Sequence, residues 1–218
     1  MKRVLEPEVM DGPREAAEYD AMDHREANEA FVRRLVELGA SGRMLDVGTG
    51  PGHIPPMVCR TLPGSRVQGV DRSCAMLVIA RCHATDAGHH AHISCQRADA
   101  RHLPFSNGTF DAVFSNTILH HLADPRPFLL EVWRVVRPGG AVLIRDLFRP
   151  ATHEHADQLV RQYAAGATEP QRSMFFASLC AAFTPQELRG LLSDLDLREL
   201  GVVIDSDRHV SIQKARTL

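Results

Sequence analysis

The fold is decided by residues 44–53, which run Met-Leu-Asp-Val-Gly-Thr-Gly-Pro-Gly-His. Strand-forming residues stop at Gly48 and a helical pattern resumes after Pro55, so the three glycines fall where a strand must turn sharply. Glycine tolerates a positive φ at such a turn and lets a ligand contact the backbone. The stretch therefore predicts the nucleotide-binding turn of an α/β domain, and a glycine-rich loop without a ligand is the alternative.

The glycine spacing narrows the choice of ligand. A dinucleotide fingerprint is Gly-x-Gly-x-x-Gly, whereas this chain has Gly-x-Gly-x-Gly, with His53 where the fingerprint requires glycine. This difference argues against a pyrophosphate ligand and against a nicotinamide-dependent oxidoreductase. The acidic residue directly before the turn favours a cationic, amino-acid-bearing nucleoside such as S-adenosylmethionine. The predicted binding residues of the turn are Asp46, Gly48, Thr49, Gly50 and Gly52.

The composition is that of an ordinary globular domain. Its 218 residues suit one domain, and a net charge of −2 offers no basic surface, so nucleic acid is not an expected partner. Residues 1–11 lack the apolar core of a signal peptide, and the apolar run 174–183 is too short to cross a bilayer, so no membrane association is expected. Five cysteines without a Cys-x-x-Cys pair indicate free thiols in a reducing cytoplasm.

Two further acids are predicted to follow strands beside the glycine turn. A short strand at 66–70 ends on Asp71, at the distance from Asp46 where a nucleoside-binding unit places the acid that holds both ribose hydroxyls. A helix capped by Ser73 follows, and Asp71 would also favour its dipole. A third strand at 92–97 precedes Asp99, whose carboxylate can accept a hydrogen bond from the adenine amino group.

A helical pattern precedes the first strand. Apolar residues recur at helical spacing over 14–38, which predicts one or two amphipathic helices. Such helices either pack on the sheet or lie across its ligand edge and close the site. The residues that we expect to face an acceptor are Tyr19, Met22 and Asn28.

Five motifs in order give the central part of the chain a family resemblance. They are Leu45-Asp46-Val47-Gly48-Thr49-Gly50-Pro51-Gly52, Gly69-Val70-Asp71-Arg72-Ser73 with Met76-Leu77, Ala98-Asp99-Ala100 with Leu103-Pro104-Phe105, Phe110-Asp111-Ala112-Val113, and Leu119-His120-His121-Leu122 through Arg137-Pro138-Gly139-Gly140. With these motifs the chain resembles the class I S-adenosylmethionine-dependent methyltransferases, in the small-molecule branch similar to the ubiquinone and menaquinone biosynthesis methyltransferases. The resemblance is strong over about 43–146 and weak elsewhere.

The resemblance implies an α/β fold with a doubly wound, mostly parallel seven-stranded sheet, helices on both faces and an antiparallel last strand. It implies one domain, 1–218, divided into an N-terminal helical cap (1–42), a cofactor-binding core (43–147), a helical lid or acceptor region (148–196) and a terminal strand pair (197–213). The methionine part of the cofactor would lie at the Gly48 turn, the ribose on Asp71 and the adenine near Asp99 and Ala100. The other cofactor-binding residues expected are Arg72, Met76 and Asn116.

The reaction that the resemblance implies is in-line methyl transfer to a small-molecule acceptor, which needs no metal. If the acceptor must lose a proton, the candidate bases are His120, His121 and Asp146; the two histidines alternatively cap or pack the start of a helix. The histidine clusters 89–92 and 153–155 show no ordered ligand spacing, so no metal site is expected. A partner protein that binds S-adenosylmethionine without turnover is the alternative function.

The apolar run 174–183 is a candidate lid over the acceptor. The run 137–140 is expected to close a helix before a fifth strand at 141–147. The apolar run follows that strand, where an insertion would overhang the carboxyl edge of the sheet, and its apolar residues recur at helical spacing. Phe175 and Phe176 are therefore expected to contact an apolar acceptor, and a helix buried in the core is the alternative. After the apolar run, Thr184 and Glu187 predict a capping box at the start of a further helix. The sequence gives no indication of the oligomeric state.

Overall fold

The structure is a computed structural model that describes residues 1–6, 12–22 and 24–217. Residues 7–11 of the predicted N-terminal segment lie outside the described ranges. The α-helices are α1 (Pro13–Asp20), α2 (Arg25–Glu37), α3 (Ile54–Thr61), α4 (Cys74–Asp86), α5 (Arg126–Val135), α6 (His153–Tyr163), α7 (Glu169–Ala181) and α8 (Pro185–Asp194). The strands are β1 (Arg43–Val47), β2 (Arg66–Asp71), β3 (Ile93–Arg97), β4 (Phe110–Asn116), β5 (Val136–Leu147), β6 (Gly201–Ile204) and β7 (His209–Lys214), and a 3₁₀ helix spans Leu119–His121.

The seven strands form one sheet in the order β3-β2-β1-β4-β5-β7-β6. β1 runs parallel to both of its neighbours, with Asp46 opposite Gly69 of β2 and Phe114 of β4, and β2 runs parallel to β3. The carboxyl ends of β1, β2, β3 and β4 therefore meet at one edge, where α/β sheets bind their ligands. The predicted fold class, a mostly parallel seven-stranded sheet with antiparallel pairing at its end, is confirmed.

The chain divides into two compact units. The first, here called the central unit, contains Met10–Asn116, Arg126–Ile144 and Gln213–Leu218, and the second, here called the C-terminal unit, contains Met1–Val9, Thr117–Pro125 and Arg145–Ile212. The unit boundary falls inside β5 and inside β7. The predicted layout of one domain in four segments remains a prediction.

Each unit has its own apolar core. The central unit buries residues of α2, α3 and strands β1 to β5, among them Phe31, Val58, Met44, Phe114 and Leu143. β4 is buried at most of its positions, because helices cover a parallel sheet on both faces. The core of the C-terminal unit consists of Leu147, Ala156, Leu159, Val160, Leu179 and Ala182.

Local sequence signals set several helix starts as predicted. The Ser73 side chain accepts from the N–H of Met76 at the start of α4, and Thr184 forms a capping box with Glu187 before α8. The two prolines after Ile54 lie in the first turn of α3, where a missing N–H costs little. The predicted helical pattern over 14–38 is two helices, α1 and α2.

The start of β5 differs from the sequence prediction. The run 137–140 was expected to close α5 before a strand at 141–147, but β5 already begins at Val136. A Cβ on Gly140 would lie 2.6 Å from Cγ2 of Val136 and 2.8 Å from the carbonyl oxygen of Asp111. The glycine therefore allows a close backbone approach within the sheet rather than ending the helix.

The glycine turn offers a matched test of packing. A Cβ on Gly52 would lie 2.7 Å from Cβ and 2.9 Å from Cα of Ala80, whereas a Cβ on Gly50 would meet nothing within 4 Å; both glycines have positive φ. Gly50→Ala should therefore cost only the left-handed strain, about 1 to 2 kcal/mol of unfolding free energy. Gly52→Ala should cause the same strain and also a steric overlap with α4, so that its unfolding free energy should fall by about 2 to 5 kcal/mol in total. Urea denaturation measures the unfolding free energy of both variants. Equal losses of stability in the two variants would contradict the close packing of Gly52 against α4.

Candidate functional site

The glycine turn has the backbone conformation that its sequence predicts. The φ angles of Gly48, Gly50 and Gly52 are +74°, +54° and +78°. The N–H groups of Gly48 and Thr49 both donate to the carbonyl oxygen of Val70, at 2.8 and 2.9 Å, which ties the turn to the end of β2. The space over Gly50 is open. A ligand can therefore approach the backbone there, as the turn of a nucleoside site requires.

Asp71 at the end of β2 is fixed by two backbone groups. Its Oδ2 accepts from the N–H of Gly50 at 2.9 Å, and its Oδ1 accepts from the N–H of Ser73 at 2.9 Å. The side chain thus connects the glycine turn to the start of α4. An ionised carboxylate has about four acceptor positions in total. These bonds orient the carboxylate and are compatible with the predicted contact to ribose hydroxyls.

Asp46 lies at the end of β1 in the interior. It is only 2% exposed, and its Oδ2 accepts from the Thr49 hydroxyl at 2.7 Å. Burial raises the pKa of Asp46 to about 7; the Thr49 hydrogen bond opposes that shift and the charge of Asp71 adds to it. Both protonation states of Asp46 are therefore populated near neutral pH. A nearby positive charge would favour the ionised state.

Asp99, after β3, is paired with a residue that the sequence analysis did not single out. The guanidinium of Arg101 donates to both carboxylate oxygens, with its terminal nitrogen 2.7 Å from Oδ2, and the Arg101 N–H donates to Oδ1 at 2.9 Å. These hydrogen bonds lower the pKa of Asp99 to about 2. An adenine amino group would share the carboxylate with Arg101. The Asp-x-Arg spacing after a strand was the available signal for this pair.

The remaining predicted cofactor residues also lie in the central unit. Arg72 is exposed, and its carbonyl oxygen accepts from Nε of Arg97 at 3.0 Å. Met76 is buried in the first turn of α4, Ala100 is buried directly after Asp99, and Asn116 ends β4 half-buried. The predicted acceptor residues Tyr19, Met22 and Asn28 belong to this unit as well. Tyr19 is half-buried in the last turn of α1, Met22 is half-buried after α1, and Asn28 is buried in α2.

The C-terminal unit contains the three candidate bases. Nδ1 of His120 lies 2.6 Å from Oδ1 of Asp146, and the backbone N–H of His120 donates to Oδ2 at 3.0 Å. Both side chains are buried, at 5% and 2% exposure. Burial opposes the charge on each residue, but their mutual attraction outweighs it, so the pKa of His120 is raised and the pKa of Asp146 is lowered. His120 therefore forms an oriented pair with Asp146.

His121 faces a different partner. Its Nδ1 lies 2.9 Å from Oε2 of Glu6, and the hydroxyl of Ser178 donates to Oε1 of Glu6 at 2.6 Å. Arg3, which sequence reasoning missed, donates to the carbonyl oxygens of His120 and Leu122. No local pattern around Arg3 indicates these contacts, because its partners lie more than a hundred positions away along the chain.

Phe175 and Phe176 on α7 are half-buried against the apolar core of the C-terminal unit. The Phe176 ring stacks on the ring of His153 with centroids 6.0 Å apart. Both phenylalanines thus combine a packing contact with an exposed part. Their predicted contact with an acceptor remains a prediction.

The sheet order and the glycine turn agree with the fold predicted for a class I methyltransferase core. Residues 45–144 match the family described as a methyltransferase domain. This match agrees with the family resemblance of the sequence over that segment, which is slightly less than half of the chain. Within the described part of the chain, no helix is both long enough and apolar enough to cross a membrane.

Known proteins similar to the chain fall in the same class. The chain is 37% identical over 111 residues to a ubiquinone/menaquinone biosynthesis C-methyltransferase of Desulfotalea psychrophila. The aligned region covers 51% of this chain and 44% of that protein. The chain is also 37% identical over 127 residues to a demethylmenaquinone methyltransferase of Thermus thermophilus, covering 57% of each. The chain therefore spans only part of the length of these relatives. A SAM-dependent methyltransferase from Aquifex aeolicus shares the fold, with a TM-score of 0.69 and 19% sequence identity. The match covers 94% of this chain and 99% of that protein.

The raised pKa of Asp46 predicts a pH-dependent stability. The pKa of Asp46 is about 7 in the folded protein and 3.8 ordinarily, so the folded protein favours the protonated carboxyl group. The contribution of Asp46 to the free energy of unfolding is therefore fully present below pH 3.8 and is lost as the pH rises to about 7. Asp46→Asn keeps the acceptor for Thr49 and does not ionise. Its stability relative to wild type should rise by about 2 kcal/mol between pH 5 and pH 7, and level off above that range. Urea unfolding at several pH values measures the difference, and a constant difference would show that Asp46 does not titrate there.

Proposed function

We propose that this protein is an S-adenosylmethionine-dependent methyltransferase that acts on a small-molecule acceptor. The observation that carries the proposal is the glycine turn locked to Asp71, in a segment that matches the methyltransferase domain family. Open space over Gly50 and an oriented acid at the end of the neighbouring strand fit the methionine and ribose parts of the cofactor. The buried Asp46 supplies an anionic group for a cationic ligand once it ionises.

The cofactor-binding roles follow from the positions of these residues. The turn from Gly48 to Gly52 would bind the methionine part, Asp71 would accept from the ribose hydroxyls, and Asp99 with Ala100 would bind the adenine. Arg72, Met76 and Asn116 would line the same edge. Asp99 is held by Arg101, so its oxygens are already directed when the adenine amino group arrives.

The sulfonium cofactor supplies an activated methyl group and a neutral leaving group. The main task of the chain is therefore to position the acceptor and to exclude water. If the acceptor must lose a proton, His120 is the preferred candidate base, because Asp146 fixes the orientation of its ring through Nδ1. His120 acts as a base only when it is neutral, and its raised pKa shifts that state to higher pH.

The acceptor is proposed to be small and largely apolar. The two relatives described above are named for ubiquinone/menaquinone biosynthesis and for demethylmenaquinone methylation, and the apolar Phe175 and Phe176 suit an acceptor of that kind. We place the protein in a reducing cytoplasm because its five cysteines are free thiols. The net charge of −2 supports a function without nucleic acid.

Turnover is tested by incubating the full chain with S-adenosylmethionine and a panel of small acceptors that includes demethylmenaquinone. Mass spectrometry should show an acceptor that gains one CH₂ group and an equal amount of S-adenosylhomocysteine. Cofactor binding without any methylated product would favour the non-catalytic binding protein instead. Binding of a nicotinamide cofactor but not of S-adenosylmethionine would contradict the proposal.

Asp71→Ala should weaken S-adenosylhomocysteine binding by about 2 to 4 kcal/mol, because two hydrogen bonds to an ionised group are lost together. Asp111→Ala is the matched control, since Asp111 also accepts a backbone N–H, from Arg43 at 2.7 Å, but at the start of β4. The control should lose stability and keep its cofactor affinity. Isothermal calorimetry measures both variants, and unchanged affinity in Asp71→Ala would refute the ribose role.

Replacing Phe175 and Phe176 together by Ala should raise the KM of the acceptor roughly tenfold, the equivalent of about 1.4 kcal/mol of lost apolar contact. Cofactor affinity should not change. Leu179→Ala, a fully buried position on the same helix, is the stability control and should cost about 2 to 5 kcal/mol. A double variant with an unchanged KM and the same loss of stability as the control would show that the two rings only pack in the core.

A further inference from the structure

Three side chains of metal-ligating type that have no predicted role in cofactor binding meet in the central unit. Asp20 ends α1, His53 directly precedes α3, and His83 lies in the last turn of α4. Nε2 of His53 lies 3.0 Å from Oδ1 of Asp20, and Nε2 of His83 lies 3.5 Å from the same oxygen. Two imidazoles and one carboxylate are donors that zinc binds in proteins.

Backbone packing brings the two histidines together. The turn at Gly52 passes so close to α4 that a Cβ on Gly52 would lie 2.7 Å from Cβ of Ala80. His83 follows Ala80 by three positions and therefore lies on the same face of α4, next to the residue that follows Gly52. The ring centroids of His53 and His83 are 4.8 Å apart. The glycine turn and α4 thus hold both rings in place.

The spacing of the three ligand atoms suits a single metal ion. Two atoms bound to zinc at 2.0–2.1 Å with tetrahedral geometry are about 3.3 Å apart. The observed separations of 3.0 and 3.5 Å lie on either side of this value. Each of the three residues offers a ligand atom that lies within 4.8 Å of those of the other two.

Two of the proposed ligand atoms have no hydrogen-bond partner in the described ranges of the chain. Among the residues that the structure describes, Asp20 Oδ1 and His53 Nε2 are buried and have no hydrogen-bond partner, although they are 3.0 Å apart. The His53 side chain does not cap α3 either. A buried polar atom without a hydrogen bond costs free energy, and a shared cation would satisfy both Asp20 Oδ1 and His53 Nε2.

We propose that Asp20, His53 and His83 bind one divalent cation of the zinc class through Oδ1 and the two Nε2 atoms. The fourth coordination position is open to water, since His53 and His83 line a surface cleft of about 260 Å³. The cation connects α1, α3 and α4 next to the glycine turn. The sequence does not indicate this site, because its three ligands belong to separate elements that are far apart along the chain.

The test uses the full chain, stripped with EDTA and titrated with Co²⁺, whose visible absorption reports its ligands; Zn²⁺ then displaces the Co²⁺. The wild type should bind one equivalent, and His53→Ala and His83→Ala should each weaken binding by at least about tenfold. Asp20→Asn, which preserves the size of the side chain, should weaken it as well. Zn²⁺ should raise the Tm of the wild type and should not raise that of His53→Ala.

The matched control is His90→Ala combined with His92→Ala, which removes two exposed imidazoles after α4 and should leave Co²⁺ affinity unchanged. Circular dichroism checks that each variant folds. Equal affinity in the wild type and His53→Ala would overturn the proposal. Loss of binding in Cys82→Ser or in His121→Ala, with His53→Ala unaffected, would place the ion elsewhere and would overturn it too.

Discussion

The two hydrogen bonds that the Asp71 carboxylate accepts hold together the edge of the sheet at the glycine turn. One oxygen holds the N–H of Gly50 and the other holds the N–H of Ser73, whose own side chain caps α4 through the N–H of Met76. Three left-handed glycines make a turn that costs conformational entropy to order. Because Asp71 orders the turn before any ligand arrives, the ligand does not have to supply that free energy on binding.

The acids at this edge have opposite electrostatic environments. Arg101 keeps Asp99 ionised, with a pKa of about 2, whereas burial raises the pKa of Asp46 to about 7. The charge at the end of β3 is therefore constant, and the charge at the end of β1 responds to its surroundings. A cationic ligand near Asp46 gains an anionic partner as that carboxylate ionises, whereas a pyrophosphate would meet repulsion. This asymmetry agrees with the glycine spacing, which also argues against a pyrophosphate.

The features predicted correctly from the sequence are those governed by a few consecutive residues. The positive φ of Gly48, the Ser73 cap and the Thr184 capping box all follow from side-chain size or a hydrogen bond across three positions. The start of β5 was missed because the role of Gly140 depends on the distant carbonyl of Asp111. Arg101 was missed although its partner is only two positions away, since a paired arginine next to an acid was not considered.

Contacts between distant parts of the chain could not be predicted from local patterns. Arg3 donates to the carbonyl oxygens of His120 and Leu122. Asp20 meets His53, which precedes α3, and His83 of α4. Sequence periodicity shows which face of a helix is apolar, but it does not show which polar side chains from other elements lie beside that helix. Sequence reasoning therefore identified the candidate bases but not Arg3 and Glu6, which surround them.

The buried pair of His120 and Asp146 raises the question of why polar groups occupy that position. Removing two ionisable groups from water is costly, and apolar side chains of similar volume often stabilise a fold at least as well. Asp146 also accepts from the backbone N–H groups of His120 and Leu147, so its carboxylate holds the 3₁₀ helix against the end of β5. A carboxylate without a histidine would satisfy those N–H groups. Removing the imidazole alone would, however, leave the buried charge of Asp146 without its counter-charge, so the two side chains depend on each other. The same contact holds the ring through Nδ1 in one orientation, which is what its proposed role as a base requires.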